Sequence, residues 1–168
     1  MPVSRQSFFL GLIVSCICLV GADGPPDAKL CVGETATFSC LKENFRSLYR
    51  SDYKRFFKIL HDQQTLALKC NSAVAASEVL SIAKLIEGSA ELGEDFREFL
   101  ENLLQQNPRC LMDALVSTDI ESRRVILKDF LRHPLFISES EARNILSVYA
   151  KDEKYKTVLE DYFSTSKE

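Results

Sequence analysis

The cysteines are the residues of this sequence whose type and number define their chemistry most clearly. Two of the six lie in an apolar segment near the N-terminus, and the other four follow it. An even number of cysteines after such a segment is typical of an exported protein with disulfides, because exported proteins fold in oxidising compartments. We expect two disulfides, and the spacing leaves all three pairings open among Cys31, Cys40, Cys70 and Cys110.

A metal site is the alternative use of these cysteines. Structural zinc needs thiolate or imidazole ligands close together, commonly with cysteines two to four residues apart. No two of the four cysteines have that spacing, and the only histidines, His61 and His133, stand alone. The sequence therefore predicts no metal ion and no cofactor.

Motifs of the common enzyme classes do not occur in the sequence. An α/β-hydrolase needs Gly-x-Ser-x-Gly at its nucleophile, and many nucleotide-binding proteins cradle phosphates with a glycine-rich loop. The six glycines are scattered and form neither pattern. A calcium loop of regularly alternating Asp or Asn residues around a glycine is also absent. We expect a protein that is not an enzyme.

Basic residues recur at four-residue spacing between positions 42 and 58. Glu43 and Asp52 are the acidic residues of this stretch, which therefore has a net charge of +4. Such a ridge is able to bind sulfated glycans, anionic lipid headgroups or an acidic partner. The alternative is the solvated back of two amphipathic helices. The candidate partner ridge consists of Lys42, Arg46, Arg50, Lys54, Arg55 and Lys58.

Acidic residues follow helical spacing further along the chain. Only Arg97 offsets their charge. The simplest interpretation is a second solvated face, of opposite sign to the basic ridge, so that the molecule is dipolar. The acidic face consists of Glu87, Glu91, Glu94, Asp95, Glu98 and Glu101.

Two short groups of apolar residues are candidates for lining a pocket. Phe56 and Phe57 are adjacent on a predicted helix, where neighbouring side chains point about 100° apart, so both are buried only if the helix is covered on two sides. Leu135, Phe136 and Ile137 lie between two predicted helices. These residues either fill the core or line a pocket between helices, where apolar ligands are commonly bound.

The spacing of apolar residues predicts the helices that must position these side chains. Phe38, Leu41 and Phe45 recur three or four residues apart, which is the stripe of an amphipathic helix. The same period continues to about residue 163, and no strand-like alternation competes with it over a useful length. The sequence predicts an all-α protein: a compact array of about seven to eight short amphipathic helices, stapled by two disulfides.

Capping residues and helix breakers predict several helix boundaries. Asp52 is expected to cap a short helix, and a longer helix is expected from about Gln64 to Glu87. Pro108 suits the first turn of a helix, where its missing N–H is not needed. Thr118 and Ser138 each precede a glutamate by three residues, which is the pattern of a capping box.

The N-terminal segment predicts export. Residues 1–22 contain one charge, at Arg5, an uncharged apolar stretch from Phe8 to Val20, and small residues before Asp23. This order is that of a cleavable secretory signal peptide. The apolar stretch is shorter than the roughly 20 residues that span a bilayer, so we expect cleavage before Asp23 and no transmembrane anchor.

The remaining chain has the size of one domain. We expect an extended segment over 23–33, because Pro25 and Pro26 disfavour helix, one helical domain over 34–163, and a polar tail over 164–168. Removing residues 1–22 takes away one basic residue and leaves 20 basic against 24 acidic residues, a net charge of −4. A nucleic-acid partner is not expected, because such proteins usually present a strongly basic face.

These observations lead to two hypotheses for a secreted, extracellular protein. The first is a non-enzymatic binding protein that holds a small hydrophobic ligand between its helices. The alternative is a secreted signalling or effector protein, cytokine-like or a host-interaction factor, that binds a receptor or an anionic surface through the basic ridge. The sequence does not identify the ligand, the receptor or the oligomeric state.

Overall fold

The computed structural model of the protein describes residues 31–164, without the side chains of Asp161 and Ser164. The predicted signal peptide (1–22), residues 23–30 of the predicted extended segment and residues 165–168 of the predicted polar tail lie outside these residues. The part that is described is all-helical and has no strand. The predicted fold class is therefore confirmed.

The helices follow one another with short connections. A 3-10 turn over Gly33–Thr35 precedes α1, and a π-helical turn over Ile126–Phe130 continues α8. The helices are α1 (Phe38–Glu43), α2 (Phe45–Ser51), α3 (Tyr53–Leu68), α4 (Ala73–Leu80), α5 (Ala83–Ile86), α6 (Ala90–Gln106), α7 (Pro108–Ser117), α8 (Ile120–Val125), α9 (Glu139–Tyr149) and α10 (Glu153–Ser164).

Side-chain caps explain where several helices begin. The carboxylate of Asp52 accepts a hydrogen bond from the amide of Arg55, and the hydroxyl of Ser138 accepts one from the amide of Glu141, as predicted. Pro108 occupies the first turn of α7, also as predicted. The cap of α8 was predicted one residue too early. Asp119 caps this helix, because the hydroxyl of the predicted cap, Thr118, donates to the carbonyl of Ala114 instead.

The predicted helix from Gln64 to Glu87 is wrong in its start and in its continuity. Helix α3 runs through Gln64 without a break, since no residue between Asp52 and Leu68 interrupts a helix. The chain breaks after Leu68, where Cys70 has a positive φ of 47°, and Ser72 then caps α4. A second break separates α4, which ends at Leu80, from α5, which begins at Ala83. The predicted end is correct to within one residue, since α5 ends at Ile86 and Gly88 follows with a φ of 86°. This left-handed conformation is one that glycine adopts without strain.

The core lies between the longer helices. Helix α3 packs on α4 and α6, α7 packs on α4 and α6, and α10 packs on α7. Large side chains of these helices are completely buried, and each contributes about 1.5–3 kcal/mol relative to an exposed position. Examples are Phe56, Leu60, Leu80, Phe96, Leu100, Leu103, Leu111 and Met112.

Two disulfides are present, and the structure fixes their pairing. Cys31 is bonded to Cys40, with Cα atoms 5.7 Å apart, and ties the segment before the 3-10 turn to α1. Cys70 is bonded to Cys110, with Cα atoms 6.1 Å apart, and ties the end of α3 to the start of α7. Within residues 31–164, none of the helices combines the length and the apolar character needed to cross a membrane.

Candidate ligand cleft and partner surfaces

A cleft of about 460 Å³ lies between α5, the first turns of α6 and the end of α8 with its π-helical turn. Its volume falls within the range of roughly 300–1,000 Å³ that is typical of small-molecule sites. We call it the α5–α6 cleft. Its apolar lining consists of Ala83, Ile86, Ala90, Gly93, Val125 and Phe130, and its polar lining includes Glu87, Ser89, Arg97 and Asp129.

Small residues at the start of α6 make room for this cleft. Ser89 caps the helix by accepting a hydrogen bond from the amide of Leu92, and Ala90 and Gly93 follow in its first turns. Gly93 is buried in the helix interior, where glycine is about 1 kcal/mol less favourable than alanine. This site was not predicted from the sequence, although small residues over two successive turns of an amphipathic helix were its local signal.

Arg97 is held in a fixed position on the wall of the cleft. Its Nη2 atom donates to the carbonyl of Asp129 at 3.0 Å, and its guanidinium lies 4.8 Å from the ring centroid of Phe130. In a π-helix each carbonyl accepts a hydrogen bond from the amide five residues later, which for Asp129 is residue 134. Residue 134 is a proline and has no N–H to donate. Arg97 therefore replaces the missing donor. Its buried Nε atom makes no hydrogen bond within residues 31–164.

The residues of the basic ridge divide into two groups. Three have partners: Lys42 donates to Ser81 in the connection between α4 and α5, Arg55 bridges to Asp52 at 2.9 Å, and Lys58 bridges to Asp62 at 2.6 Å. The other three are exposed and make no hydrogen bond or ion pair with any residue that the structure describes. These are Arg46 and Arg50 of α2 and Lys54 of α3.

A second, smaller recess lies beside the unpaired arginines. It has a volume of about 230 Å³ and is formed by α2, the end of α5 and the start of α6. Its apolar lining is Phe45, Leu85 and Leu92, and its polar lining includes Arg46, Tyr49, Arg50 and Glu87. We call it the α2–α6 recess.

The predicted pocket residues lie on separate elements. Phe56 is completely buried in α3, where its ring packs 4.9 Å from that of Phe45, and Phe57 is half-buried beside Tyr53. Neither residue lines the α5–α6 cleft. In the loop before α9, Ile137 packs against the core, whereas the two residues before it, Leu135 and Phe136, are exposed.

Glu101 does not belong to the solvated acidic face on which it was predicted. It is only 2% exposed. Its carboxylate accepts hydrogen bonds from three consecutive backbone amides, those of Leu135 and Phe136 at 2.7 Å and that of Ile137 at 2.8 Å. The sequence gives no local signal for this role, because the partners lie more than thirty residues away.

Two other members of the acidic face contact α2 and α3. Glu91 accepts hydrogen bonds from the hydroxyls of Tyr49, at 2.7 Å, and Tyr53. The hydrogen bond from Tyr53 and, to a smaller extent, the one from Tyr49 lower the pKa of Glu91. The bond between Tyr53 and Glu91 also raises the pKa of Tyr53, to about 12. Asp95 lies 2.7 Å from Nε2 of His61 and accepts a hydrogen bond from the side chain of Gln64. These acidic residues therefore join helices as well as facing solvent.

A third cleft, of about 320 Å³, lies between α3 and α6 beside the His61–Asp95 pair, and it is also lined by Thr65 and Phe99. In the part of the chain that the structure describes, no group of three or more Cys, His, Asp or Glu side chains is arranged to hold a metal ion.

No protein-family model, no curated protein and no solved structure matches the chain.

Proposed function

We propose that the protein is an exported, non-enzymatic binding protein that holds a small, largely apolar ligand in the α5–α6 cleft. The observation that carries this proposal is the cleft itself: a space of about 460 Å³ between three helical elements, with an apolar lining that includes Ile86, Val125 and Phe130. Ligand sites in helical proteins commonly lie between helices and combine an apolar lining with a few polar groups.

Gly93 supports a role for the cleft beyond packing. A Cβ atom at this position would lie 3.5 Å from Nη1 of Arg97, which is an ordinary contact. The helix would therefore tolerate alanine and gain stability from it. A glycine that costs helix stability and borders the cleft is consistent with a need for open space there.

Arg97 supports a ligand with one polar end. Its guanidinium is already positioned by the Asp129 carbonyl and by the Phe130 ring, so little conformational entropy is lost when a polar ligand group reaches it. Glu87 and Asp129 also line the cleft. The ligand class proposed here is therefore an amphiphilic small molecule with an apolar body against Ile86 and Phe130.

Export is supported by the two disulfides, which persist in oxidising compartments. It is also supported by the order of charged, apolar and small residues over 1–22. Release of a chain that begins at Asp23 into the medium of expressing cells would test it, by N-terminal sequencing of the released protein. Retention of residues 1–22 would contradict it.

The proposed binding is tested with the fluorescent probe 1-anilinonaphthalene-8-sulfonate. Gly93→Leu fills the α5–α6 cleft, and we expect it to weaken probe binding at least about tenfold, which corresponds to about 1.4 kcal/mol. Thr65→Leu adds the same side chain beside the cleft between α3 and α6 and serves as the matched control. Equal probe affinity of the wild type and of Gly93→Leu would contradict the assignment.

A second candidate function rests on the three cations that have no partner among residues 31–164. Arg46, Arg50 and Lys54 are exposed on α2 and α3, as expected for a surface that binds an acidic receptor or an anionic glycan. Their replacement by glutamate should lower the salt concentration at which the protein leaves immobilised heparin. The matched control replaces three other exposed lysines, Lys69, Lys128 and Lys151, by glutamate. If both triple variants eluted at the same salt concentration, this function would be ruled out.

A further inference from the structure

The loop between the π-helical turn and α9 presents two large apolar side chains to solvent. Leu135 is 59% exposed and Phe136 is 53% exposed. Single exposed apolar residues are common on protein surfaces and need no explanation. Two adjacent ones on a loop with a fixed backbone are less common, and the backbone here is fixed by Glu101.

The buried carboxylate of Glu101 holds this loop in one conformation. It accepts three hydrogen bonds, from the amides of Leu135, Phe136 and Ile137. Removing a carboxylate from water is unfavourable unless such bonds replace its hydration. The buried Glu101 therefore favours the loop conformation that presents all three amides to it. A loop that is ordered before binding loses less entropy when its side chains enter a partner.

The charges beside the loop indicate the chemistry of that partner. Glu139 and Glu141 follow the apolar pair in the first turn of α9. The side chain of Glu139 is 74% exposed and lies 3.9 Å from Nδ1 of His133, and Glu141 accepts a hydrogen bond from Gln105. These glutamates would oppose an anionic membrane surface. A recess with an apolar floor and basic side chains at its edge is the complementary surface.

The α2–α6 recess of this same protein has those properties. Its apolar lining is Phe45, Leu85 and Leu92. Its charged lining consists of Arg46, Arg50 and Glu87, a net charge of +1, and neither arginine has an ion-pair partner within residues 31–164.

The loop cannot reach the recess of its own molecule. Leu92 lines the recess and Glu101 anchors the loop, and both belong to α6. Nine residues separate them, which is roughly 14 Å along a helix that rises 1.5 Å per residue. Only a second copy of the chain is able to bring the two surfaces together.

We propose that Leu135 and Phe136 of one copy dock into the α2–α6 recess of another copy, with Glu139 and Glu141 beside Arg46 and Arg50. Each copy offers one loop and one recess, so a reciprocal exchange closes as a two-fold dimer, whereas a head-to-tail arrangement adds further copies. The contact buries few residues, and association is therefore weak and concentration-dependent. This inference does not depend on a ligand in the α5–α6 cleft.

Sedimentation velocity of the purified, disulfide-bonded protein tests this proposal. The weight-average mass of the wild type should rise about 1.5-fold or more between about 10 µM and 1 mM, as expected for a Kd of roughly 0.1–1 mM. Phe136→Ser and the double variant Arg46→Glu/Arg50→Glu should each remain monomeric. Val148→Ser removes a more exposed apolar residue outside the loop and should associate like the wild type.

Mixing the two non-associating variants gives the sharpest result. The Phe136→Ser copy retains its recess and the arginine variant retains its loop, so the mixture should form a complex that stops at two copies. A wild type that is monomeric at all concentrations would overturn the proposal, as would a mixture that stays monomeric. A monomeric wild type that cosediments with phosphatidylcholine vesicles through Phe136 would overturn it in favour of a membrane-facing loop.

The same variants separate self-association from the heparin-binding candidate. Phe136→Ser leaves Arg46 and Arg50 intact, so its elution from heparin should match that of the wild type even though its self-association is lost. Simultaneous loss of both properties in Phe136→Ser would contradict the assignment of this side chain to a contact between copies.

Discussion

The carboxylate of Glu101 accepts a hydrogen bond of 2.7 Å from the backbone amide of Phe136, thirty-five residues further along the chain. Glu101 belongs to α6 and Phe136 to the loop before α9, so this bond fixes a loop against a core helix. The neighbouring amides of Leu135 and Ile137 share the same carboxylate. One buried side chain therefore determines the conformation of a loop in which Leu135 and Phe136 are exposed.

Replacing Glu101 by glutamine should destabilise the protein by about 2–4 kcal/mol. Glutamine keeps the shape but offers one acceptor oxygen, and its amide group would face backbone donors. Urea unfolding measures the change. Glu98→Gln, at an exposed position of the same helix, is the control and should stay within about 0.5 kcal/mol of the wild type. If the two variants were equally stable, Glu101 would not be holding the loop.

Gly93→Ala should stabilise the protein by about 0.5–1 kcal/mol, because it restores helix propensity and restricts the unfolded chain. The matched substitution Gly88→Ala should have the opposite effect. Gly88 has a φ of 86° and no atom near the position of an added Cβ, so the backbone conformation alone sets the cost. Thermal unfolding of both variants checks the pair, and a change of the same sign in both would contradict this account.

The two disulfides should differ in their contribution to stability. Cys70–Cys110 closes a loop of 40 residues and Cys31–Cys40 one of 9. In the chain-entropy account the longer loop stabilises the fold by about 1 kcal/mol more. Paired replacement by alanine, one disulfide at a time, followed by urea unfolding, measures the difference. A larger loss for the Cys31 and Cys40 pair would show that loop entropy does not dominate.

Asp113 predicts a dependence of stability on pH. The hydrogen bond from Lys154 and, to a smaller extent, the one from Tyr155 lower the pKa of Asp113 below its usual value of 3.8. A carboxyl whose pKa is lower in the folded state stabilises the fold above its unfolded pKa, and this contribution is lost as the pH falls through the folded pKa. Asp113→Asn should therefore be less stable than the wild type at neutral pH.

The difference between Asp113→Asn and the wild type should shrink as the pH is lowered from about 5 to about 2.5. Denaturant midpoints of the two proteins across this range provide the measurement. A difference that stays constant, or that grows in acid, would mean that the charge of Asp113 is not what stabilises the contact between α7 and α10.

Local chemistry explains how much of the fold is predictable from the sequence. The caps at Asp52 and Ser138 and the proline at the start of α7 act within one helical turn, so their effect is visible in a few neighbouring residues. The break after Leu68 is different. It involves a left-handed Cys70, which is bonded to Cys110 forty residues away, and the apolar stripe continues across it.

The candidate sites depend on contacts between distant segments and were less predictable. The periodicity of α6 assigns Glu101 to an acidic face, yet tertiary packing buries it and supplies three amide donors. The α5–α6 cleft is bounded by α5, by small residues of α6 including Gly93, and by α8 with its π-helical turn, which are distant from one another in the sequence. The exposure of Arg46 and Arg50, by contrast, follows from their position opposite the apolar stripe of α2.

Native mass spectrometry tests the central claim most directly. The wild type and Gly93→Leu would be incubated with a small-molecule extract of the fluid or tissue in which the protein occurs, and then transferred under mild conditions. The α5–α6 cleft predicts that the wild type acquires the added mass of a small molecule, which denaturation releases, and that Gly93→Leu does not. Recovery of only ligand-free wild type, or the same added mass on both proteins, would contradict binding in this cleft.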